Sequence, residues 1–182
     1  MIWIVLFLLL AVAVWAMLAF NRLVRLRNLV RNGWADIDVQ LQRRHDLVPP
    51  LVETVRAYAA HEKAALELVT ELRSLALNTQ QPGALASVES QLESGLGRLL
   101  ALREAYPDLK ADANFRQLHQ SLVEVEEYLQ FARRFYNGAV RDFNTAIQKV
   151  PDVLVARTFG FSEAEHFHAG EDSRGAVTVS LS

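Results

Sequence analysis

Residues 1–20 read MIWIVLFLLLAVAVWAMLAF, an apolar run without a single charged side chain. A helix rises about 1.5 Å per residue, so this run matches a hydrocarbon core of roughly 30 Å. Inside lipid, a helix is the one way for a single segment to pair all of its backbone N–H and C=O groups. The run therefore predicts a transmembrane helix that anchors the chain.

Tryptophans and arginines around the run predict how this helix lies in a bilayer. Trp3 and Trp15 lie toward its two ends, where indole rings favour the membrane interface. Arg22 and Arg25 are the first of several arginines that follow the run, whereas no Lys or Arg precedes it. The positive-inside rule then predicts a single-pass protein with its N-terminus outside and its C-terminal domain in the cytoplasm.

A cleaved signal peptide is the competing interpretation of the same run, because Ala11-Val12-Ala13 has the small residues of a cleavage site. A signal peptide also needs a positively charged region before a short apolar stretch. That charge is missing here, so an uncleaved anchor is favoured.

The composition of the chain excludes several classes of protein. Its 182 residues carry a formal net charge of -2, with 19 basic and 21 acidic side chains. Nucleic-acid binding needs a basic stripe, so we expect no nucleic-acid partner. The chain has no cysteine, which excludes disulfides, thiolate nucleophiles and cysteine-based metal sites.

Beyond the anchor, apolar residues recur at alternating steps of three and four, which is typical of amphipathic helices. They form four stripes, at 23–48, 51–76, 85–102 and 115–150. Four such segments with short connections predict an all-α fold in which the transmembrane helix is followed by an antiparallel helical bundle. The expected domains are an anchor at 1–20, a bundle at 21–160 and a flexible tail at 161–182.

Pro49-Pro50 separates the first two stripes and leaves two interpretations open. Two consecutive prolines remove two backbone donors, and Pro49 disfavours the helical conformation at Val48. The segments form either a tight corner or one long kinked helix, because the two stripes stay in phase across the prolines. We favour the corner.

Several long segments resemble the LemA family. They are FNRLVRLRNLVRNGWADIDVQLQRRHDLVPPLVETVRAYAAHEKAALELVTELR at 20–73, AYPDLK at 105–110, RFYN at 134–137 and FGF at 159–161. The resemblance covers nearly the whole chain and implies a bacterial inner (plasma) membrane protein with a cytoplasmic helical bundle. It implies no established reaction. Relatives in that family include a magnetosome membrane protein, and the family is sometimes associated with membrane metalloproteases.

The titratable residues do not make a recognisable catalytic or metal-binding pattern. His61-Glu62 begins like a zinc-binding helix motif, but Ala65 stands where the second His belongs. His166 and His168 have too few further ligands for a closed zinc site. Glu163 and His166 have the spacing of di-iron proteins, but they lie outside the bundle. The sequence therefore predicts no catalytic, metal or cofactor site, and the protein is not expected to be an enzyme.

One polar cluster remains, and it includes two charges on the apolar stripes. Arg44 and Glu62 occupy stripe positions, where a charge is costly unless it is paired. Under the favoured interpretation they form a buried salt bridge that sets helix register, and under the other they form a partner-binding or gating site. The rest of the cluster consists of Asp36, Asp38, Arg43, His45, Asp46 and Glu53.

These observations lead to one functional prediction and one alternative. We expect a membrane-anchored helical scaffold or interaction protein whose partners are membrane lipid and other proteins, including a second copy of itself. The alternative is a regulatory accessory subunit of a membrane protease, such as a metalloprotease, or of another membrane enzyme.

Overall fold

The computed structural model describes residues 1–167, and the predicted all-α fold with an N-terminal apolar helix is confirmed over this part. Its helices are α1 (Ile2–Tyr58), α2 (Lys63–Asn78), α3 (Pro82–Ala101), α4 (Pro107–Ala111), α5 (Ala113–Gln148) and α6 (Asp152–Thr158). A 3₁₀ turn at Leu102–Glu104 follows α3. The tail from 168 onward, with His168, lies outside the described residues.

The corner predicted at Pro49-Pro50 is wrong, because α1 continues through both prolines to Tyr58. Val48, Leu51 and Val55 are buried, whereas both prolines are exposed. An interior proline costs a helix about 3 kcal/mol, but each fully buried Val or Leu contributes roughly 1.5–3 kcal/mol. A continuous apolar face therefore outweighs the lost backbone bonds, and the chain turns later, between α1 and α2.

The described residues form two compact units, each with parts of α1 and α5. The first, here called the anchor unit, contains residues 1–39 and 129–166. The second, here called the bundle unit, contains residues 40–128 and Phe167.

In the bundle unit, segments of α1, α2, α3 and α5 enclose one apolar core. Its fully buried members, at 0% exposure, are Leu51, Val55, Ala59, Val69, Leu92, Leu99 and Leu109. Pro82 and Pro107 begin α3 and α4, where a missing N–H costs nothing. Asp112 caps α5, because its Oδ1 accepts the backbone N–H of Phe115 at 2.7 Å. The capped helices thereby bury one face each.

In the anchor unit, the apolar part of α1 is almost entirely exposed, as a lipid-facing helix would be. Farther along, α1 approaches α5 closely at Gly33. A Cβ added there would lie 3.0 Å from Phe135 Cδ1 and 3.1 Å from the Cα of Tyr136. Next to this approach, the rings of Trp34 and Tyr136 lie 5.5 Å apart. Glycine at position 33 thus allows a close approach of the two helices, because a Cβ there would require its neighbours on α5 to shift by a few tenths of an ångström.

The segment after α6 begins the range 161–182, for which a flexible tail is predicted, and its described residues make several hydrogen bonds. Gly160, at a φ of 68°, ends α6 in a Schellman motif in which the Phe161 N–H bonds the Ala156 carbonyl at 2.9 Å. Asn144 of α5 bonds both the N–H and the C=O of Ala164, each at 2.9 Å. These bonds fix residues 161–164 against α5.

Candidate functional site

A cluster of buried charges in the bundle unit is the candidate functional site. Arg44 and His45 come from α1, Glu89 from α3 and Glu126 from α5. Arg44 Nη1 lies 3.1 Å from Glu89 Oε2, and Arg44 Nη2 forms a second ion pair with Glu126. His45 Nε2 lies 2.6 Å from the other oxygen of Glu89. Three helices are therefore joined through one guanidinium group and two carboxylates.

Burial of the charges in this cluster carries a cost in desolvation free energy. The side chain of Glu89 is 0% exposed and that of Arg44 is 2% exposed, so neither charge is solvated by water. A buried ion costs several kcal/mol unless a partner and hydrogen bonds compensate for the lost hydration. Here both oxygens of Glu89 have partners. This arrangement fits the interpretation of the cluster as an internal salt bridge that sets helix register.

A side chain of α2 completes the cluster at the prolines of α1. Pro49 has no N–H, so the carbonyl of His45, four residues earlier, loses its usual helical donor. The structure replaces that donor with Arg73, whose Nε donates to the His45 oxygen at 2.7 Å. The hydrogen bond from Arg73 thus removes part of the cost of a proline inside α1.

The cluster opens to the surface at one place. A cleft of about 200 Å³ lies between α3 and α5, and Arg44 and Glu126 contribute to its wall. The Glu126 side chain is 25% exposed. The other walls are largely apolar, from Leu96, Gly97, Leu100, Leu122, Val123 and Glu93.

The structure does not bring Arg44 and Glu62 together, which corrects the predicted pairing. Glu62 lies in the turn between α1 and α2, where it accepts a hydrogen bond from the Tyr106 hydroxyl at 3.2 Å. The physical reason is the continuous helix, because Tyr58 lies fourteen helical steps after Arg44, a rise of about 21 Å. The expected burial and pairing of Arg44 are found, but with other partners.

The remaining residues singled out from the sequence lie mostly at the surface. Trp3 is 83% exposed, Trp15 is partly buried and Arg25 is exposed. Arg22 forms an ion pair with Asp152 at 3.1 Å. Within the polar cluster, only Arg44 and His45 are buried, and the exposed members are Asp36, Asp38, Arg43, Asp46 and Glu53.

The sequence reasoning missed Glu89 and Glu126, although each has a signal. Glu89 lies four residues after Leu85 and three before Leu92, and Glu126 stands in the same relation to Leu122 and Leu129. Both carboxylates therefore share the apolar stripe of their helix. An acidic residue at such a position indicates a buried partner of opposite charge.

A second group of charges lines a cavity of about 560 Å³ elsewhere in the bundle unit. Arg103 Nη1 lies 3.3 Å from His119 Nε2, and because arginine only donates, the imidazole nitrogen accepts. Burial lowers the pKa of His119, and the neighbouring charge of Arg103 lowers this pKa further. Phe115 forms part of the lining, together with Glu104, Lys110 and Arg116. The lowered pKa therefore favours the neutral form of His119.

Comparison with known proteins finds relatives of which the alignments cover about two thirds to three quarters. A family model described as the LemA family matches residues 33–181. The magnetosome protein MamQ of Magnetospirillum gryphiswaldense is 25% identical over an alignment covering 88% of this chain and 72% of that protein. MamQ 2 of Paramagnetospirillum magneticum is 26% identical, covering 83% and 65%. Protein LemA of Metamycoplasma hominis is 27% identical, covering 88% and 74%.

Proposed function

Because this chain belongs to the LemA family, we propose that it is a membrane-anchored helical protein that acts by binding protein partners, including a second copy of itself. The apolar helix α1 supports the anchor, since its first residues are exposed and long enough to cross a bilayer. The arginines that follow support a cytoplasmic location of the rest of the chain at a bacterial inner membrane.

The observation that carries the binding proposal is a pair of exposed aromatic side chains on α5. Phe131 is 63% exposed and Phe135, one turn later on the same face, is 49% exposed. The Arg134 guanidinium lies 4.7 Å from the centre of the Phe131 ring. Aromatic residues and arginine are enriched where proteins bind one another, because they bury a large area with few rotatable bonds.

Purification of the full-length protein after gentle detergent extraction tests this proposal. A scaffold that binds itself is expected to elute as a stable homo-oligomer. Phe131→Ser should shift that oligomer toward monomer, whereas Gln130→Ser, at an exposed position on another face of α5, should leave it unchanged.

The same purification distinguishes the proposed scaffold from the alternative role as an accessory subunit. Co-elution of a different membrane enzyme, such as a metalloprotease, in stoichiometric amount would support a regulatory accessory subunit. A monomer that carries no other protein would contradict both roles.

A further inference from the structure

We propose that α6 and its flanking residues form a second membrane contact, which lies on the bilayer surface beside the end of the anchor. This inference rests on the proposed membrane anchoring of α1 and adds a lipid-binding surface to it. The surface consists of Val150, Leu154 and Phe159, together with the cations Lys149 and Arg157, and is here called the α6 surface. All of these residues belong to the anchor unit.

Ring contacts place the α6 surface at the end of the transmembrane segment. Phe20 is the last residue of the apolar run, so its ring lies at the boundary of the hydrocarbon core if the run spans the bilayer. The Phe159 ring lies 4.7 Å from the Phe20 ring, and the Phe161 ring lies 5.8 Å from it. Phe159 therefore lies at the same depth as the end of the anchor.

An ion pair fixes α6 itself at that level. Asp152, in the first turn of α6, lies 3.1 Å from Arg22, two residues after Phe20. The Asp152 side chain is only 10% exposed, so this contact is packed as well as charged. The start and the end of α6 are thus both attached to the residues where α1 leaves the apolar run.

The outward side of α6 is apolar although it faces away from the protein. Val150 is 77% exposed, Leu154 is 61% exposed and Phe159 is 59% exposed, whereas Val155 and Ala156 on the inner side are buried. A short segment that is apolar on both sides is unfavourable in water. It is favoured at a membrane interface, where the outer side chains can leave water.

The basic residues around the apolar side chains indicate that the α6 surface binds an anionic bilayer surface. Lys149 and Arg157 flank Leu154, and both are exposed. Arg25 and Arg27 add positive charge where α1 leaves the apolar run, and the Arg27 guanidinium lies 5.1 Å from the Phe161 ring centre. The acidic group of α6, Asp152, is already paired with Arg22. Basic side chains near such a surface are attracted to anionic lipid headgroups.

Depth-dependent fluorescence quenching tests this proposal in the full-length protein. The chain has no cysteine, so a single Leu154→Cys substitution can carry an environment-sensitive fluorophore. The labelled protein is reconstituted into vesicles of phosphatidylcholine and phosphatidylglycerol that contain lipids spin-labelled near the headgroup. Blue-shifted emission and quenching several-fold stronger than in the matched control are expected.

The matched control is Gln130→Cys with the same label. Gln130 is exposed on α5, which runs back along α1, since Phe143 lies near Phe161 and Tyr136 lies near Trp34. Position 130 therefore lies farther along α5 from Phe20 than Phe143 and Tyr136 do. Equal quenching at positions 154 and 130 would overturn the proposal.

Further variants separate this proposal from the proposed function. A label at Leu8→Cys should be quenched by deep spin labels, and its failure would contradict anchoring by α1. Quenching at position 8 without quenching at position 154 would contradict only the α6 surface. With the label at Thr158→Cys, Leu154→Asp should lower quenching to the level of the control, whereas Val39→Asp, at another exposed apolar position, should not.

A charge variant tests the lipid selectivity. The double substitution Lys149→Gln and Arg157→Gln, combined with the label at 154, should reduce quenching in vesicles containing phosphatidylglycerol. It should have little effect in pure phosphatidylcholine. An equal loss in both lipids would overturn the selection of anionic headgroups, provided that circular dichroism gives the same helix content for all variants.

Discussion

Glu89 holds the buried charges of the bundle unit together, because its two oxygens bind different side chains of α1. One oxygen pairs with Arg44 and the other with His45, while the backbone oxygen of His45 accepts from Arg73. Removal of Glu89 would leave two polar side chains of α1 in an apolar interior. The cost of such a removal is dominated by the unpaired charge rather than by the lost attraction.

A double-mutant cycle on the full-length protein in detergent micelles measures this dependence. Glu89→Leu alone should lower the free energy of unfolding by about 3–5 kcal/mol, because the buried charge of Arg44 then loses one of its two carboxylate partners. Adding Arg44→Met should recover much of that loss. The same cycle with Glu62→Gln serves as the control, and its coupling should stay within a few tenths of a kcal/mol, since Arg44 and Glu62 do not meet. Additive losses at Arg44 and Glu89 would be inconsistent with the observed ion pair.

His119 makes the stability of the protein depend on pH. Its pKa is lowered in the folded protein by burial and then by Arg103, so the unfolded chain binds a proton more readily. Stability from this group is complete above the unfolded pKa of about 6.5 and falls as the pH drops toward the lower folded pKa. His119→Gln should therefore reduce the loss of thermal stability between neutral and mildly acidic pH. An identical pH dependence in both proteins would contradict the lowered pKa of His119 in the folded protein.

At the scale of a single element, α1 is the informative case. Two adjacent prolines would end most helices, yet α1 passes through them and turns only after Tyr58. The prolines occupy the exposed face, the opposite face is buried in the core, and Arg73 donates to one carbonyl that the prolines leave free. Tertiary contacts of α1 therefore overcome its local sequence preference.

Pro49 and Arg73 should consequently be energetically coupled. Arg73→Leu leaves the His45 carbonyl without its donor and should cost about 1.5 kcal/mol. In a Pro49→Ala background, the new N–H at position 49 can bond that carbonyl, so the same substitution should cost clearly less. Pro50→Ala is the matched control, because it restores a backbone donor for the carbonyl of Asp46 instead. Chemical unfolding of the wild-type protein and these five variants measures the coupling, and equal costs of Arg73→Leu in all backgrounds would argue against this role.

At the scale of the whole molecule, the proposed membrane topology depends on an apolar run and a set of arginines. The apolar part of α1 is exposed and carries no charged side chain, whereas Arg22, Arg25 and Arg27 follow it closely. Positive charge is retained on the cytoplasmic side during insertion. In the proposed arrangement, the α6 surface lies at the same level as these arginines and adds to their interaction with the membrane.

A topology measurement follows from this arrangement. A reporter fused after Ser182 should be active in its cytoplasmic form, and protease added to cells with a permeabilised outer envelope should leave it intact. Replacing the arginines at 22, 25 and 27 with glutamine while adding two lysines before Ile2 should shift part of the population to the opposite orientation. Cleavage of the unmodified fusion from outside would reverse the proposed orientation.

The sequence by itself determined the apolar anchor, the helical periodicity and the burial of Arg44, because each depends on the local order of apolar and polar residues. Only the tertiary structure decided where α1 ends and which carboxylates neutralise Arg44. Glu89 and Glu62 lie 45 and 18 residues from Arg44 along the chain, and both are acidic residues at helix-compatible positions. Which of the two pairs with Arg44 depends on whether the free energy gained by packing the core exceeds the cost of the prolines in α1. That free energy comes from contacts between segments that are distant in the sequence.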